Sequence, residues 1–143
     1  MNFDSEISSP TAASLHNQME VIFAAILLLL CNKKKKYWNY YTVYTEEALI
    51  EQKTSKISDV CVKNDRTGDA VVIIEITRDL ESDVEKVKYY RDIYDIKGEI
   101  FIYEYVEKVW YKIDEKGDEK KDDSWCEFFE CDLEEESNKF IKK

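Results

Sequence analysis

The chain has 143 residues, 44% apolar and 36% charged, with ten Tyr, six Phe and three Trp. That length and composition describe one folded domain able to bury roughly 70% of its unfolded surface, and they exclude a disordered chain. Thirty-one acidic against 21 basic residues give a net charge of −10, which excludes DNA binding by bulk phosphate neutralisation, so any nucleic-acid role needs a local basic patch or a metal.

Residues 1–13, MNFDSEISSPTAA, are polar, hold the only proline and lack periodicity. A mobile N-terminal arm is expected there, followed by Ser14 as a helix cap. From Leu15 to Cys31 helix formers run without a breaker, and VIFAAILLLLC (21–31) is apolar all round, the pattern of a central helix packed on both sides. The apolar run is about half of what spans a bilayer. Acidic residues precede it and KKKK (33–36) follows it. The expectation is a cytoplasmic core helix with lysines at its C-terminus, with no membrane segment and no signal peptide.

YWNYYTVYT (37–45) is aromatic and β-branched and predicts a strand whose aromatic residues face the core, base stacking being their other use. EEALIEQKTSK (46–56) fits either a short helix or an excursion between strands. ISDVCVK (57–63) alternates, with Val60 and Val62 on one face and Asp59 on the other. NDRTGD (64–69) is turn chemistry and predicts a hairpin to AVVIIEIT (70–77), a central strand covered on both faces with Glu75 and Thr77 on one side.

RDLESDVEKVKYYRDIYD (78–95) predicts a helix in which Ser82 and Glu85 have capping-box spacing. Val84, Val87, Tyr90 and Tyr94 share its buried face, and Lys86 and Lys88 flank that face on opposite edges. EIFIYEYV (99–106) and VWYKI (109–113) predict a hairpin about the two-residue turn EK. A charged loop (114–123) follows, then SWCEFFECDL (124–133) as an edge strand or a helix, and a charged tail from 134 to 143. The reading is a single domain over 14–133, α/β in class, with a mixed sheet and helices against it.

Burying the carboxylate of Glu75 costs several kcal/mol unless it is paired or metal-bound. Asp59 stands sixteen positions earlier across the predicted hairpin, so the two carboxylates can approach one end of the sheet. Beside a lysine from the following helix they form a site for Mg²⁺ (or Mn²⁺), which binds phosphate oxygens and activates water. That His16 is the only histidine argues against a His-rich zinc centre and against a Ser-His-Asp triad built elsewhere in the chain. Cys31, Cys61, Cys126 and Cys131 lack zinc-site spacing and read as reduced, structural cysteines.

Four stretches, LHNQMEVIFAAILLLL (15–30), SDVCV (58–62), VVIIEIT (71–77) and DVEKVKYY (83–90), together resemble the PD-(D/E)xK nuclease superfamily, and within it the Uma-type restriction endonuclease family. The resemblance implies a restriction-endonuclease-like fold, a metal-dependent endonuclease acting on DNA, and a homodimer. By it Asp59 and Glu75 would ligate the metal and Lys86, four residues before Tyr90, would assist the attacking water, with Lys88 as the fallback. Glu20 would be the accessory acidic residue, and Tyr90 would bond near the site. Ser58 stands at the usual proline and Thr77 at the usual strand lysine, so the catalytic lysine must come from the helix.

Each residue also has a plainer use. Asp59 could end a strand at the surface, Glu75 could be ion-paired with Arg78, Lys86 or Lys88, Glu20 could be a solvated first-turn glutamate, and His16 and Asn17 could order the helix start. The alternative function is a catalytically inactive protein of this fold that binds a protein partner through an acidic surface.

Overall fold

The computed structural model describes residues 12–33, 40–49 and 57–141. Its sheet is built outward from two β-branched runs, β2 (Ile57–Asn64) and β3 (Ala70–Thr77). They pair antiparallel through the NDRTGD turn, where the Asn64 side chain accepts the Arg66 amide at 2.9 Å and Gly68 takes a φ of 78°. Only glycine adopts that backbone region without cost.

Strand β1 (Tyr41–Ala48) lies antiparallel outside β2. On the other side β3 leads into a crossover helix, Leu80–Asp92, which returns the chain to β4 (Glu99–Glu104), parallel to β3. Strands β5 (Val109–Ile113) and β6 (Glu119–Lys121) complete an antiparallel meander, so the sheet order is β1-β2-β3-β4-β5-β6. Helix α1 is Ala12–Lys33 and the crossover helix is α2.

Because β2 and β3 are apolar on both faces, each face needs a cover. Phe23, Ile26, Leu27 and Leu30 of α1 pack on Val60, Val62, Val72, Ile74 and Phe101. Val87 and Tyr90 of α2 pack on Cys61, Ile73, Ile100 and Ile102 opposite. Each of the larger side chains fully buried there contributes roughly 1.5–3 kcal/mol. Cys31, Cys61 and Cys126 are buried within these layers, and burial raises the thiol of each above its ordinary range.

The backbones of β3 and β4 meet closely at their start. A Cβ on Gly98 would sit 2.4 Å from the Ala70 carbonyl oxygen, so no larger residue fits. Arg91 ties down the same end by donating to the carbonyls of Ile96, Gly98, Ile113 and Asp114 at 2.6–3.1 Å.

Several expectations are corrected. The helix begins at Ala12, so Ser14 lies inside it rather than capping it. It packs on one side only: Val21, Leu28 and Leu29 are exposed. Over Ser14–Lys33 its mean hydropathy is 1.6, long and apolar enough to cross a membrane by length and composition. The run 21–31 understated that length; the face carrying Phe23, Leu27 and Leu30 nevertheless lies in the core. Ser82 does not form the capping box; its hydroxyl donates to the Asp79 carbonyl from within the helix, and Asp79 is the N-cap. The β4–β5 connection is Tyr105–Lys108 rather than two residues, because the Glu104 carboxylate accepts the amides of Val106 and Glu107 and Lys108 takes a φ of 58°.

The charged loop contains β6, whose backbone continues the meander although its side chains are exposed. Residues 124–133 form a small ribbon, β7 (Trp125–Cys126) with β8 (Cys131–Asp132), fastened to the sheet where Glu99 accepts the Glu127 and Phe128 amides and the Lys112 ammonium. The segment expected as a charged tail holds helix α3 (Leu133–Ser137), and Leu133 and Ile141 enter the core beside α1. Tyr41 packs edge-on against Phe128, whereas Tyr40 is exposed beneath Arg66. Residues 1–11 of the expected arm, residues 37–39 of the expected aromatic strand and residues 50–56 lie outside the described residues.

Candidate active site

The β2–β3 register pairs Val60 with Ile74, which sets Asp59 opposite Glu75 at the next step and on one face of the sheet. That is the face covered by α2. Glu75 is 0% exposed, and each of its oxygens has a partner from that helix. The Tyr90 hydroxyl donates to Oε1 at 2.8 Å and the Lys86 ammonium to Oε2 at 2.9 Å. Their four-residue spacing places both donors over one stripe of α2.

Burial pushes the Glu75 carboxyl well above its usual range, Asp59 adds to the rise, and Lys86 and Tyr90 oppose it. Burial works against the Lys86 ammonium, but the charge and hydrogen bond of Glu75, helped by Asp59 and Asp83, raise it above its ordinary value. Lys86 is therefore a charged donor. Tyr90 is raised far beyond the phenolic range, by burial first and then by Glu75, so its hydroxyl keeps its proton.

Asp59 has a neighbour at each oxygen. Its Oδ2 accepts the Ile76 amide at 2.8 Å, and its Oδ1 lies 3.3 Å from His16 Nε2. His16 Nδ1 is in turn 3.7 Å from Glu20 Oε2. Glu20 is 6% exposed, not the solvated first-turn glutamate of the plainer reading. Its carboxyl is pushed up to about 7 by burial, then by Glu46 and Asp59. Thus α1 brings Glu20 and His16 to the end of the sheet where β2 and β3 bring Asp59 and Glu75.

Two acidic residues were missed from sequence. The β1–β2 pairs Thr45 with Val60 and Glu47 with Ser58 bracket Glu46 opposite Asp59, so Glu46, Asp59 and Glu75 occupy one row across three strands. Glu46 has a φ of 53°, uncommon without glycine. Asp83, one turn before Lys86, is raised by burial and by Asp59 and lowered by Lys86. The adjacent acids EE at 46–47 were a signal for the first, and the spacing Asp83-x-x-Lys86 for the second.

Lys88 is exposed and runs its stem beside Gly117, away from this cluster. Thr77 does not stand in for a lysine: its hydroxyl donates to the Asp79 carbonyl at 2.7 Å and accepts the Asp79 amide at 2.8 Å, shaping the entry to α2. A shallow cleft of about 380 Å³ opens here, lined by His16, Thr77, Arg78, Asp83 and Tyr105 among others. Larger cavities of about 1080 and 710 Å³ lie at the opposite end of the sheet, around Gly98; the second is lined by charged groups of its own, among them Glu99, Asp114, Asp118 and Lys112.

Among the described residues, no three His, Cys, Asp or Glu side chains converge into a ready-made metal cage. Mg²⁺ does not require one, since it commonly takes one or two carboxylates and completes its shell with water and phosphate oxygens. Hard oxygen donors set close together, as where Asp59 helps raise the Glu75 carboxyl, suit such a cation.

No family model matches the chain, and no curated protein matches it by sequence. Among solved structures it is similar to the type IIG restriction endonuclease BpuSI, with a TM-score of 0.51 and 16% identity over 66% of this chain. The chain spans 11% of the length of that protein. The likeness shows the fold: a restriction-endonuclease-like mixed sheet of six strands with helices on its faces.

Proposed function

We propose that the chain is a Mg²⁺- or Mn²⁺-dependent endonuclease of the PD-(D/E)xK superfamily, Uma-type in drawing its lysine from α2, which hydrolyses DNA phosphodiester bonds. The observation that carries this reading is Glu75, buried opposite Asp59 and bonded to Lys86 at 2.9 Å. Asp59 and Glu75 would hold the cation, with Glu20 beside them. When bound, the metal supplies Lewis acidity toward a phosphate oxygen and lowers the pKa of water.

The remaining work falls to the chain's own side chains. Lys86 is protonated, and 24% of its side chain reaches the surface, where it can offset charge developing on a phosphate oxygen. Tyr90 fixes the Glu75 carboxylate in direction. The row of acids cannot attract a polyanion by itself, so on this reading metal and substrate bind together. A homodimer in the cytoplasm, each copy cutting one strand, completes the proposal.

Supercoiled plasmid incubated with Mg²⁺ or Mn²⁺ tests it. Expected is nicking that EDTA stops and that Asp59→Ala and Glu75→Gln each abolish. No nicking by the parent with either metal, or equal nicking by Glu75→Gln, overturns it.

The second reading is an inactive nuclease fold that binds a protein partner. It is favoured by Thr77 at the motif-lysine position and by the occupation of both Glu75 oxygens by protein donors. It predicts no Mn²⁺ binding at all.

A further inference from the structure

We infer that His16 is a positioning residue that fixes the Asp59 carboxylate from α1 and so presets the cation site. The inference rests on the metal-site reading above.

His16 stands four residues before Glu20, so the two side chains share one stripe of α1. A histidine that only ordered the helix start would find its partners within that first turn. Here the ring reaches off its own element: Nε2 lies 3.3 Å from Asp59 Oδ1 on β2. The contact to Glu20, at 3.7 Å from Nδ1, is beyond hydrogen-bond reach. The nearer contact is therefore the one to Asp59.

The consequence follows from counting lone pairs. Each carboxylate oxygen accepts about two hydrogen bonds. On Asp59 one position at Oδ2 is taken by the Ile76 amide at 2.8 Å and one at Oδ1 faces His16. The carboxylate thus has a neighbour at each oxygen, with acceptor capacity left over. Without the ring, Asp59 would be held by one amide beside Glu75, Glu20 and Glu46, whose negative charges favour its swinging away. His16 is 27% exposed and lines the cleft, so it is reachable from solvent.

Outer partners of metal-binding carboxylates commonly set 10–100-fold in metal affinity. The test is Mn²⁺ titration of the full chain followed by calorimetry, for the parent, Asp59→Ala, His16→Ala and His16→Gln, each checked by thermal melting without metal. Expected is parent binding that Asp59→Ala abolishes and His16→Ala weakens 10–100-fold with its melting unchanged. His16→Gln, whose amide can present a donor near the Nε2 position, should recover part of the loss, and added imidazole should restore affinity to His16→Ala but not to Asp59→Ala.

Binding by His16→Ala equal to the parent, while Asp59→Ala loses it, overturns the role of His16 and leaves the metal site standing. No binding by the parent overturns both. If His16→Ala fails to fold, His16→Gln decides: parent-like folding with a weaker affinity supports the role, and an unchanged affinity overturns it.

Discussion

The Lys86 ammonium lies 2.9 Å from a Glu75 carboxylate that is completely buried, while Lys86 itself reaches the surface. The carboxylate is thus balanced by a charge that can move, and the helix supplying that charge also supplies the neutral donor, Tyr90, that cannot. An ion pair of this form opposes the rise that burial imposes on the Glu75 carboxyl. It also leaves the counter-charge partly open to solvent.

Removing that ammonium should cost stability. Lys86→Ala is expected to lower the unfolding free energy by about 3–5 kcal/mol at pH 8, the usual effect of stranding a buried charge. The loss should shrink at pH 5, because the carboxyl of Glu75, already raised by burial, then takes up a proton. Lys88→Ala, at an exposed position, should stay within about 0.5 kcal/mol. Urea unfolding of both variants at the two pH values checks this; equal effects would move the pairing away from Lys86.

Glu75→Gln should behave differently. It removes the buried charge while keeping an acceptor for Tyr90, and Lys86 can turn to solvent, so the change in stability is expected within about 1 kcal/mol. Any metal-dependent cleavage should vanish. A variant that unfolds, measured by circular dichroism, would make Glu75 a structural residue.

The carboxyl of Glu20 is raised from 4.5 to about 7. Between those values the native chain holds a proton that the unfolded chain has released, so in EDTA stability should fall as pH rises from 4.5 to 7. Glu75 contributes in the same direction. Glu20→Gln should flatten this slope, and Mg²⁺ should raise the melting temperature more at pH 8 than at pH 5, because the metal competes with protons for these groups. Melting curves across this range check it; stability rising over the same window would contradict the assignment.

Gly98→Ala tests the sheet independently of the site. The new methyl would meet the Ala70 carbonyl oxygen at 2.4 Å and the Val71 backbone at 2.7 Å. Backbone on both sides leaves nothing flexible to yield, so a loss of at least about 3 kcal/mol is expected. Thermal melting at the parent's temperature would refute this close approach.

The placement of the candidate residues was legible where it rested on strong local patterns. The NDRTGD turn between two β-branched runs gave the hairpin, and the hairpin set Asp59 against Glu75. Helical spacing alone could not choose between Lys86 and Lys88; the choice depends on how α2 is rotated over the sheet, which Val87 and Tyr90 decide by burying together. Glu46 was hidden because its left-handed backbone interrupts the alternation that reveals a strand. The ribbon at 125–132 was equally obscure, since it is held by the distant carboxylate of Glu99 rather than by a pattern of its own. The six-strand order adds a parallel β3–β4 pair, which follows once 80–92 is a crossover helix.

The most direct test of the central claim is a crystal of the full chain soaked in Mn²⁺, with the anomalous signal measured at the manganese edge. The account predicts a peak within coordination distance, about 2.0–2.4 Å, of carboxylate oxygens from both Asp59 and Glu75. A well-ordered soaked crystal with no peak at that pair, or with manganese only on surface carboxylates elsewhere, would contradict it.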